Sequence, residues 1–317
     1  MSRDEIIDKK EKLLEQRITR EYQRADKEIS KRASDYLAKF EQADKAKKVL
    51  LEQGKITAGE YLEWRKGWIR RTKEYQAMLD DCAEILTNAS VIASAYARGE
   101  AVDMFCTASN WAAYDVCRDL NLKVDFTIYN KQSVMRILTD DPDLLPKRDV
   151  DIPATYKWNK HHIQSEITQG IIQGKSVQKV AQGLARAVGM AKNASVRNAR
   201  TAMCSARSAG SEQRYRQARD KYGIDVRKQW LATPDGKTRH EHRILDGQIR
   251  DLDEPFDADG EKIMYPADPT AAPWLVYNCR CALEPVVGDY DNNFNFDIMG
   301  AMSYEEWEKE GKRHKKR

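Results

Sequence analysis

The amino-acid sequence predicts a mostly α protein of the α+β class, with long N-terminal helices and a helical hairpin followed by a small, loop-rich β module near the C-terminus. Charged residues make up 33% of the 317 residues, and apolar residues in the first part of the chain recur at helical spacing, as in long solvated helices. Between residues 230 and 282 the composition changes, since five of the nine prolines fall there. Prolines interrupt helices, so this stretch predicts turns and short strands.

A first helix is predicted from about Asp4 to Gln53, with Gly54 ending it. Its apolar or small residues are spaced by three or four: Leu14, Ile18, Tyr22, Ala25, Ile29, Ala33, Tyr36 and Phe40. A long amphipathic helix needs a partner surface, because isolated helices are only marginally stable. Either the next helix of the same chain or another subunit would supply that surface.

A capping box, Thr57-x-x-Glu60, predicts the start of a second helix that extends toward Arg98-Gly99. Its aromatic residues share one face, which is typical of a core: Tyr61, Trp64, Trp68 and Tyr75. Three further elements are predicted: a helix at Met104–Leu120, a short strand at Asp125–Tyr129 and a helix at Lys131–Leu138.

After the prolines near residue 150, the sequence predicts a helix from Trp158 to Gln173 and another that Ser176 caps and that ends at Val188. A long helix from Lys192 to Tyr222 follows. Its apolar face is small: Ala199, Ala202, Met203, Ala206 and Ala209. Basic residues recur every seven positions on one face: Arg200, Arg207, Arg214 and Lys221. This basic face is either solvated or a contact for nucleic acid or an acidic protein surface.

The β module is predicted to begin with a strand from Lys228 to Thr233 and a turn at Pro234-Asp235-Gly236. A capping box, Thr238-x-x-Glu241, would then open a short helix from Arg239 to Asp246, and Gly247 would end it. Further on, residues 276–283 are predicted to be extended. That conformation places Tyr277, Cys279, Cys281 and Leu283 on one face, and Val276, Asn278 and Arg280 on the other.

These elements predict four consecutive segments. Residues 1–150 form a helical arm or domain, and residues 151–228 form a second helical part. Residues 229–287 form the β module, and residues 288–317 form a polar linker, a short helix capped by Ser303-x-x-Glu306 and a basic tail. The six cysteines are too sparse for a disulfide framework, so we expect reduced thiols. No signal peptide or membrane span is expected.

The second half of the chain resembles the phage Mu F-like minor head protein family. The resemblance extends from about Lys157 to Pro285. Its upstream part is Gly170–Ser176 through Arg200-Thr201 to Tyr215, although Ala202 and Met203 stand where an acidic residue is expected. The downstream motifs are Asp235, Thr238-Arg239, His242, Leu245-Asp246-Gly247, Asp253–Phe256, Pro266 and Asn278–Cys281.

The resemblance implies a non-enzymatic minor capsid protein of a phage virion, made in the bacterial cytoplasm. Such a protein would lie in the head interior or at the portal vertex and act in head assembly, and in DNA packaging or ejection. Its expected partners are the portal protein, capsid or scaffold proteins and packaged double-stranded DNA, with no membrane. A DNA-binding adaptor that acts outside a capsid is an alternative.

The residue types also raise the question of a metal site. His240 and His242 are about 200° apart on a helix, so only one can face the module's interior, and the resemblance selects His242. His242, Cys279 and Cys281, with Asp235 as a fourth ligand, form a candidate zinc site. The alternative is a core of buried thiols in which His242 donates and accepts hydrogen bonds.

These residues bear on three enzyme classes, of which a metal-dependent nuclease of the HNH type stays an alternative. A metal nuclease of the HNH type needs another histidine, and only His314 follows His242. A papain-like thiol enzyme has little support, since Arg280 alone would lower a cysteine pKa. ADP-ribosyl transfer is suggested because related phage proteins can carry toxin domains after the module, where only residues 286–317 remain. We therefore expect binding rather than catalysis.

Overall fold

The computed structural model describes residues 2–71, 73–142, 144–145, 149–291 and 294–314, without the side chains of residues 69–71, 313 and 314. They form two compact units. The helical unit comprises Glu15–Tyr96 and Asp149–Val196, and the mixed unit comprises Met1–Leu14, Ala97–Arg148 and Arg197–Arg317. The division into four consecutive segments stays a prediction. Residues 146–148 of its first boundary and residues 315–317 of the basic tail lie outside the described residues.

Helices account for most of the chain, which confirms the predicted fold class. The helices are α1 (Arg3–Glu52), α2 (Ala58–Arg71), α3 (Lys73–Leu120), α4 (Lys131–Asp140), α5 (Ile152–Ile172), α6 (Val177–Tyr222), α7 (His240–Leu245), α8 (Pro273–Val276) and α9 (Tyr304–His314). The strands are β1 (Leu122–Lys123), β2 (Ile224–Leu231), β3 (Ile249–Asp251), β4 (Phe256–Ala258), β5 (Glu261–Ile263), β6 (Ala282–Tyr290) and β7 (Asp297–Ile298).

Helix α1 has the predicted bounds and the predicted buried stripe. All eight stripe residues are buried, and Gly54 takes a left-handed φ of 66° just after the helix. Within the helical unit, the hydroxyl of Tyr22 lies 3.0 Å from Ser90 Oγ on α3 and 2.7 Å from Ser195 Oγ on α6. The partner surface of this stripe therefore belongs to the same chain.

The capping box of α2 and its aromatic core are also confirmed. Thr57 N donates to Glu60 Oε2 at 2.8 Å, and Glu60 N donates to Thr57 Oγ1 at 3.2 Å. The ring of Phe40 on α1 lies 6.1 Å from that of Trp64 and 5.9 Å from that of Trp68. These aromatic residues therefore pack against one another in the core of the helical unit.

Two predicted helix breaks are wrong. Helix α3 continues through Gly99, and α6 continues through residues 188–192, so each is one long helix. A glycine inside a helix costs only about 1 kcal/mol relative to alanine, which the packing of the flanking residues offsets. The turn between α5 and α6 is formed at Gly174, with φ 67°. Ser176 caps α6 as predicted, because its Oγ accepts from Lys179 N at 3.4 Å.

The mixed unit is built on an antiparallel sheet of three strands in the order β3-β2-β6. Strand β2 starts four residues before the predicted strand and alternates inward and outward, with Trp230 opposite Leu283 of β6. Lys228 lies on the inward face and is wholly buried. Its Nζ donates to Met264 O at 2.9 Å and Leu252 O at 3.1 Å. The sheet thus has a buried polar centre beside its apolar core.

Two segments differ from the extended structure that the sequence predicts. Residues 125–129 form no strand, because side chains of other elements form hydrogen bonds with their backbone groups. Tyr129 N, for example, donates to Asn110 Oδ1 at 2.9 Å. Residues 276–283 are not one extended segment. Helix α8 ends at Val276, Asn278 has a left-handed φ of 57°, and β6 starts only at Ala282.

None of the described helices combines the length and the apolar character needed to cross a bilayer.

Candidate metal centre

The turn after β2 positions α7. Asp235 Oδ1 accepts from Lys237 N at 2.9 Å, and Asp235 O accepts from Thr238 N at 3.2 Å. The predicted capping box of Thr238 and Glu241 is wrong. The hydroxyl of Thr238 donates instead to Thr233 O, and Arg239 occupies the cap position without a side-chain cap. Thr238 therefore closes the turn rather than the helix.

Helix α7 presents one of its two histidines to the interior. His242 is buried, with 3% of its surface exposed, whereas His240 is exposed. The ring of Trp230 packs edge-on against that of His242 at 5.9 Å. Gly247 takes a φ of 76°, and its N–H donates to Trp230 O at 2.9 Å. The chain can therefore return to β3 directly after α7. Gly236, by contrast, does not use the left-handed region that the turn prediction allowed it.

The turn at Asn278 brings both cysteines inward. The N–H of Asn278 donates to Thr201 Oγ1 on α6 at 2.9 Å, and Cys279 N donates to Val276 O at 3.3 Å. Cys279 and Cys281 are both buried, and they meet His242. Nδ1 of His242 lies 3.2 Å from Cys281 Sγ and 3.6 Å from Cys279 Sγ. The three ligand atoms all lie within 4.8 Å of one another, close enough to hold one metal ion.

The other ring nitrogen sets the tautomer of His242. Nε2 lies 2.9 Å from Leu275 O, which can only accept a hydrogen bond. We therefore assign the hydrogen to Nε2. Arg239 Nη2 also lies 3.0 Å from Nε2, but its own hydrogen bond goes to Leu275 O at 3.2 Å. In the neutral ring Nδ1 then presents a lone pair to the sulfur atoms. Zinc-binding histidines have this arrangement, with the second nitrogen on a carbonyl.

The two cysteines differ in pKa. The neighbouring Cys279 thiol lowers the pKa of Cys281 below that of a free thiol. Burial, together with the neighbouring Cys204 and Cys281, raises the pKa of Cys279. A thiolate is the form that binds metals, so each of the two cysteines would hold an ion in its deprotonated form.

Asp235, the predicted fourth ligand, is not in this cluster. Its carboxylate accepts from Arg280 Nη2 at 2.8 Å and from Arg280 Nη1 at 2.5 Å. The residue is exposed at the turn, and the hydrogen bonds from Arg280 lower the pKa of its carboxyl group. Asp235 therefore fixes the turn to the Cys279–Cys281 segment by an ion pair.

The other predicted motif residues support the backbone around the cluster. Arg239 Nη1 donates to Tyr277 O at 2.8 Å, which holds the segment between α8 and the cysteines. Pro266 is buried, whereas Pro234 is exposed at the turn. Glu241 is half-buried. These residues shape the module and contribute no ligand atom to the described cluster.

The predicted basic face of α6 is not one surface. Arg214 is wholly buried: its Nη2 donates to Thr127 O, and its guanidinium lies 3.6 Å from the ring centre of Tyr129. Burial lowers the pKa of Arg214 to about 10. Arg207 is half-buried, and its Nη2 donates to Arg280 O at 3.1 Å and to Cys281 O. Both side chains thus donate to carbonyl groups of the folded chain, and the nucleic-acid role of Arg207 and Arg214 stays a prediction. Arg200 and Lys221 are exposed.

One residue near the cluster was not predicted. Cys204 on α6 is buried, and its Sγ lies 3.5 Å from Cys281 O. Thr201 and Cys204 are three residues apart and so share a helix face, and both contact the Asn278–Cys281 segment. Polar side chains at that spacing on an apolar face of small residues were the sequence signal that could have indicated Cys204.

Together, the fold and the cluster define a helix-rich protein with a small β module centred on buried cysteine and histidine side chains. Residues 161–284 match the family model described as Phage Mu protein F like protein. The match lies within the segment, Lys157–Pro285, that the sequence motifs indicate.

Two curated relatives match part of the chain. Minor head protein GP7 of Bacillus phage SPP1 is 30% identical over 166 residues, which cover 48% of this chain and 51% of that protein. NAD(+)--arginine ADP-ribosyltransferase EFV of Enterococcus faecalis is 30% identical over 151 residues, 46% of this chain and 31% of that protein. The matches thus span about half of one relative and less than a third of the other. No solved structure matches significantly. About half of the chain is therefore similar to a phage minor head protein.

Proposed function

We propose that this protein is a non-enzymatic minor component of a phage head that acts in head assembly, next to the portal or in the head interior. One observation carries the non-enzymatic part. His242, Cys279 and Cys281 are each no more than 3% exposed. An enzyme must bring its nucleophile or metal to a substrate, whereas a buried cluster is suited to holding the module together.

The role in the head rests on the family match and on the minor head protein among the relatives. The portal, capsid and scaffold proteins are the proposed partners, and the cell in which the chain is made is the bacterial host. The length of α1, α3 and α6 favours a protein whose surface contacts others. Low copy number and a part in DNA packaging or ejection belong to the same proposal.

Purified DNA-filled heads test this role directly. Mass spectrometry should detect the chain in heads of the encoding phage, and chemical crosslinking should join its lysines to the portal or to another head protein. A nonsense mutation in its gene should lower the yield of filled heads, and supply of the chain in trans should restore it. Absence of the chain from filled heads, with normal yield in the mutant, would refute the proposal and favour an adaptor that acts outside the capsid.

Enzyme activity is tested on the same full chain. A divalent-dependent nicking assay and an arginine ADP-ribosylation assay with NAD should both give only background rates. His242→Ala separates the nuclease hypothesis from contamination. Loss of a nicking activity in this variant, while His240→Ala keeps it, would assign the activity to the cluster and contradict the structural role.

The second part of the proposal is that the protein contacts packaged DNA. Only the exposed side of α6 would make this contact. Arg200 and Lys221 are exposed there. Each phosphate contact that is lost should reduce the slope of log K against log salt by about 0.9. We therefore expect Arg200→Ala with Lys221→Ala to flatten the salt dependence of binding to double-stranded DNA. Arg136→Ala, an exposed arginine on α4, is the matched control and should leave the slope unchanged.

A further inference from the structure

The buried cluster of three ligands lacks one group for a structural metal site. Structural zinc ions in proteins are almost always held by four protein ligands in a tetrahedron. His242, Cys279 and Cys281 supply three. Asp235 is held at the turn by Arg280 and does not supply the fourth. A fourth ligand therefore has to come from another element packed on the cluster.

We propose that Cys204 of α6 is this fourth ligand, and that the protein binds one zinc ion through Cys204, Cys279, Cys281 and His242. Cys204 is buried, with 2% of its surface exposed. Its Sγ lies 3.5 Å from the carbonyl oxygen of Cys281. The inference rests on the structural role proposed above for the cluster and extends that role to α6.

Cys204 has to turn toward the ion. It is not among the three groups whose ligand atoms lie within 4.8 Å of one another, and its Sγ now contacts Cys281 O. Rotation about the Cα–Cβ bond moves a cysteine sulfur between three staggered positions without moving the backbone. The contact that is lost, a weak S–H donor on a carbonyl, costs little beside a zinc–thiolate bond.

Positively charged side chains near the cluster would compensate the charge of three thiolates. Zn²⁺ with three thiolates and a neutral imidazole carries one net negative charge. Arg207 reaches this place from α6 with its Nη2 on Arg280 O and Cys281 O, and Arg239 Nη2 lies 3.0 Å from His242 Nε2. Each thiol that binds releases its proton to solvent, and His242 keeps the proton on Nε2, which donates to Leu275 O.

This geometry would give the metal a mechanical role. Its ligands come from α6, from α7 and from the turn before β6. Cys204 and Cys281 are 77 residues apart, so the ion would join a long helix of the mixed unit to the β module. A bound metal closes such a chain segment and adds its binding free energy to folding.

X-ray absorption at the zinc K-edge tests the ligand set on the unmodified, full-length, reduced protein. After reconstitution with zinc alone, we expect one zinc per chain with three sulfur neighbours at about 2.3 Å and one nitrogen at about 2.0 Å. A fit with two sulfur neighbours would overturn the assignment of Cys204. Failure to retain zinc after removal of free metal would overturn the whole site.

A variant pair gives a second test. Cys204→Ser should weaken zinc binding by at least about 100-fold, since even an outer-shell partner of a metal site is worth 10–100-fold. With cobalt in place of zinc, the thiolate-to-metal charge-transfer absorption should fall by about a third, from three thiolates to two. Cys117→Ser replaces a buried thiol outside the cluster and should change neither quantity.

The outcomes separate this inference from the proposed function. Equal zinc affinity and equal cobalt absorption in Cys204→Ser and the unmodified protein would refute the role of Cys204 and leave the three-residue cluster intact. The presence of the chain in filled heads is measured without reference to metal. A metal-free protein in filled heads would therefore refute the zinc site alone, and a zinc-bound protein absent from heads would refute the proposed function alone.

Discussion

Nδ1 of His242 lies 3.2 Å from Sγ of Cys281, although the two residues are 39 positions apart in the chain. This contact joins α7 to the turn before β6, and both residues are buried. Each side is fixed independently, because His242 Nε2 is held by Leu275 O and the Cys281 carbonyl is held by Arg207. Both sides of the contact are therefore held by other groups, an arrangement that favours metal binding.

The first prediction concerns His242 itself. His242→Ala should lower the free energy of unfolding of the metal-free protein by about 2–4 kcal/mol, because it removes a buried ring and two hydrogen-bonded contacts. Urea unfolding followed by circular dichroism measures this. His240→Ala, on the exposed side of the same helix, should stay within about 0.5 kcal/mol of the unmodified protein. Equal effects of the two substitutions would contradict the buried position of His242.

The second prediction tests whether Thr238 closes the turn before α7 or forms a capping box with Glu241. Thr238→Val should destabilise the protein by about 0.5–1.5 kcal/mol, because the buried hydroxyl donates to Thr233 O. Glu241→Ala should have little effect, since Glu241 makes no cap in the structure. If a capping box formed instead, Glu241→Ala would cost as much as Thr238→Val. Thermal unfolding of both variants decides between the two arrangements.

The third prediction concerns the buried arginine of α6. Arg214→Ala should destabilise the protein by about 3 kcal/mol or more, because Thr127 O would lose a charged donor and Tyr129 would lose its cation–π contact. The same variant, where it remains folded, should bind DNA with an unchanged salt slope. Arg200→Ala should instead leave the stability nearly unchanged and reduce the salt slope of DNA binding. A reduced slope in folded Arg214→Ala would mean that this side chain reaches solvent.

The fourth prediction is a pH dependence that arises from Asp115. Burial outweighs the ion pairs with Arg3 and Arg118 and raises the pKa of Asp115 from 3.8 to about 6. The folded state therefore binds this proton more tightly than the unfolded chain does. Loss of this proton should therefore lower the free energy of unfolding by up to about 3 kcal/mol as the pH rises from about 4 to about 6.

Asp115→Asn isolates this effect from the other carboxyl groups. Between about pH 4 and about pH 6, the free energy of unfolding of the unmodified protein should fall relative to that of Asp115→Asn. The variant is therefore favoured at the higher pH. A constant difference for Asp115→Asn would place its pKa near the ordinary value.

Local patterns predicted the parts of the fold that depend on local physics. The stripe on α1, the capping boxes at Thr57 and Ser303 and the turn at Gly54 follow from periodicity and from side chains that satisfy nearby backbone donors. The same reasoning failed at Thr238, where a carbonyl five residues earlier competed for the hydroxyl. It also failed at Gly99, which packing retains within α3.

The sequence by itself determined the fold class, the family resemblance and the residue types at the cluster, because periodicity, capping and motif order are properties of the chain. Only the tertiary structure decided which polar groups meet. It placed Asp235 on Arg280, turned Arg207 and Arg214 inward and brought Cys204 beside the carbonyl group of Cys281. The physical reason is that a buried donor or charge has to be satisfied by whichever partner the packed elements bring near, and heptad spacing along one helix carries no information about the carbonyl groups that other elements place against it.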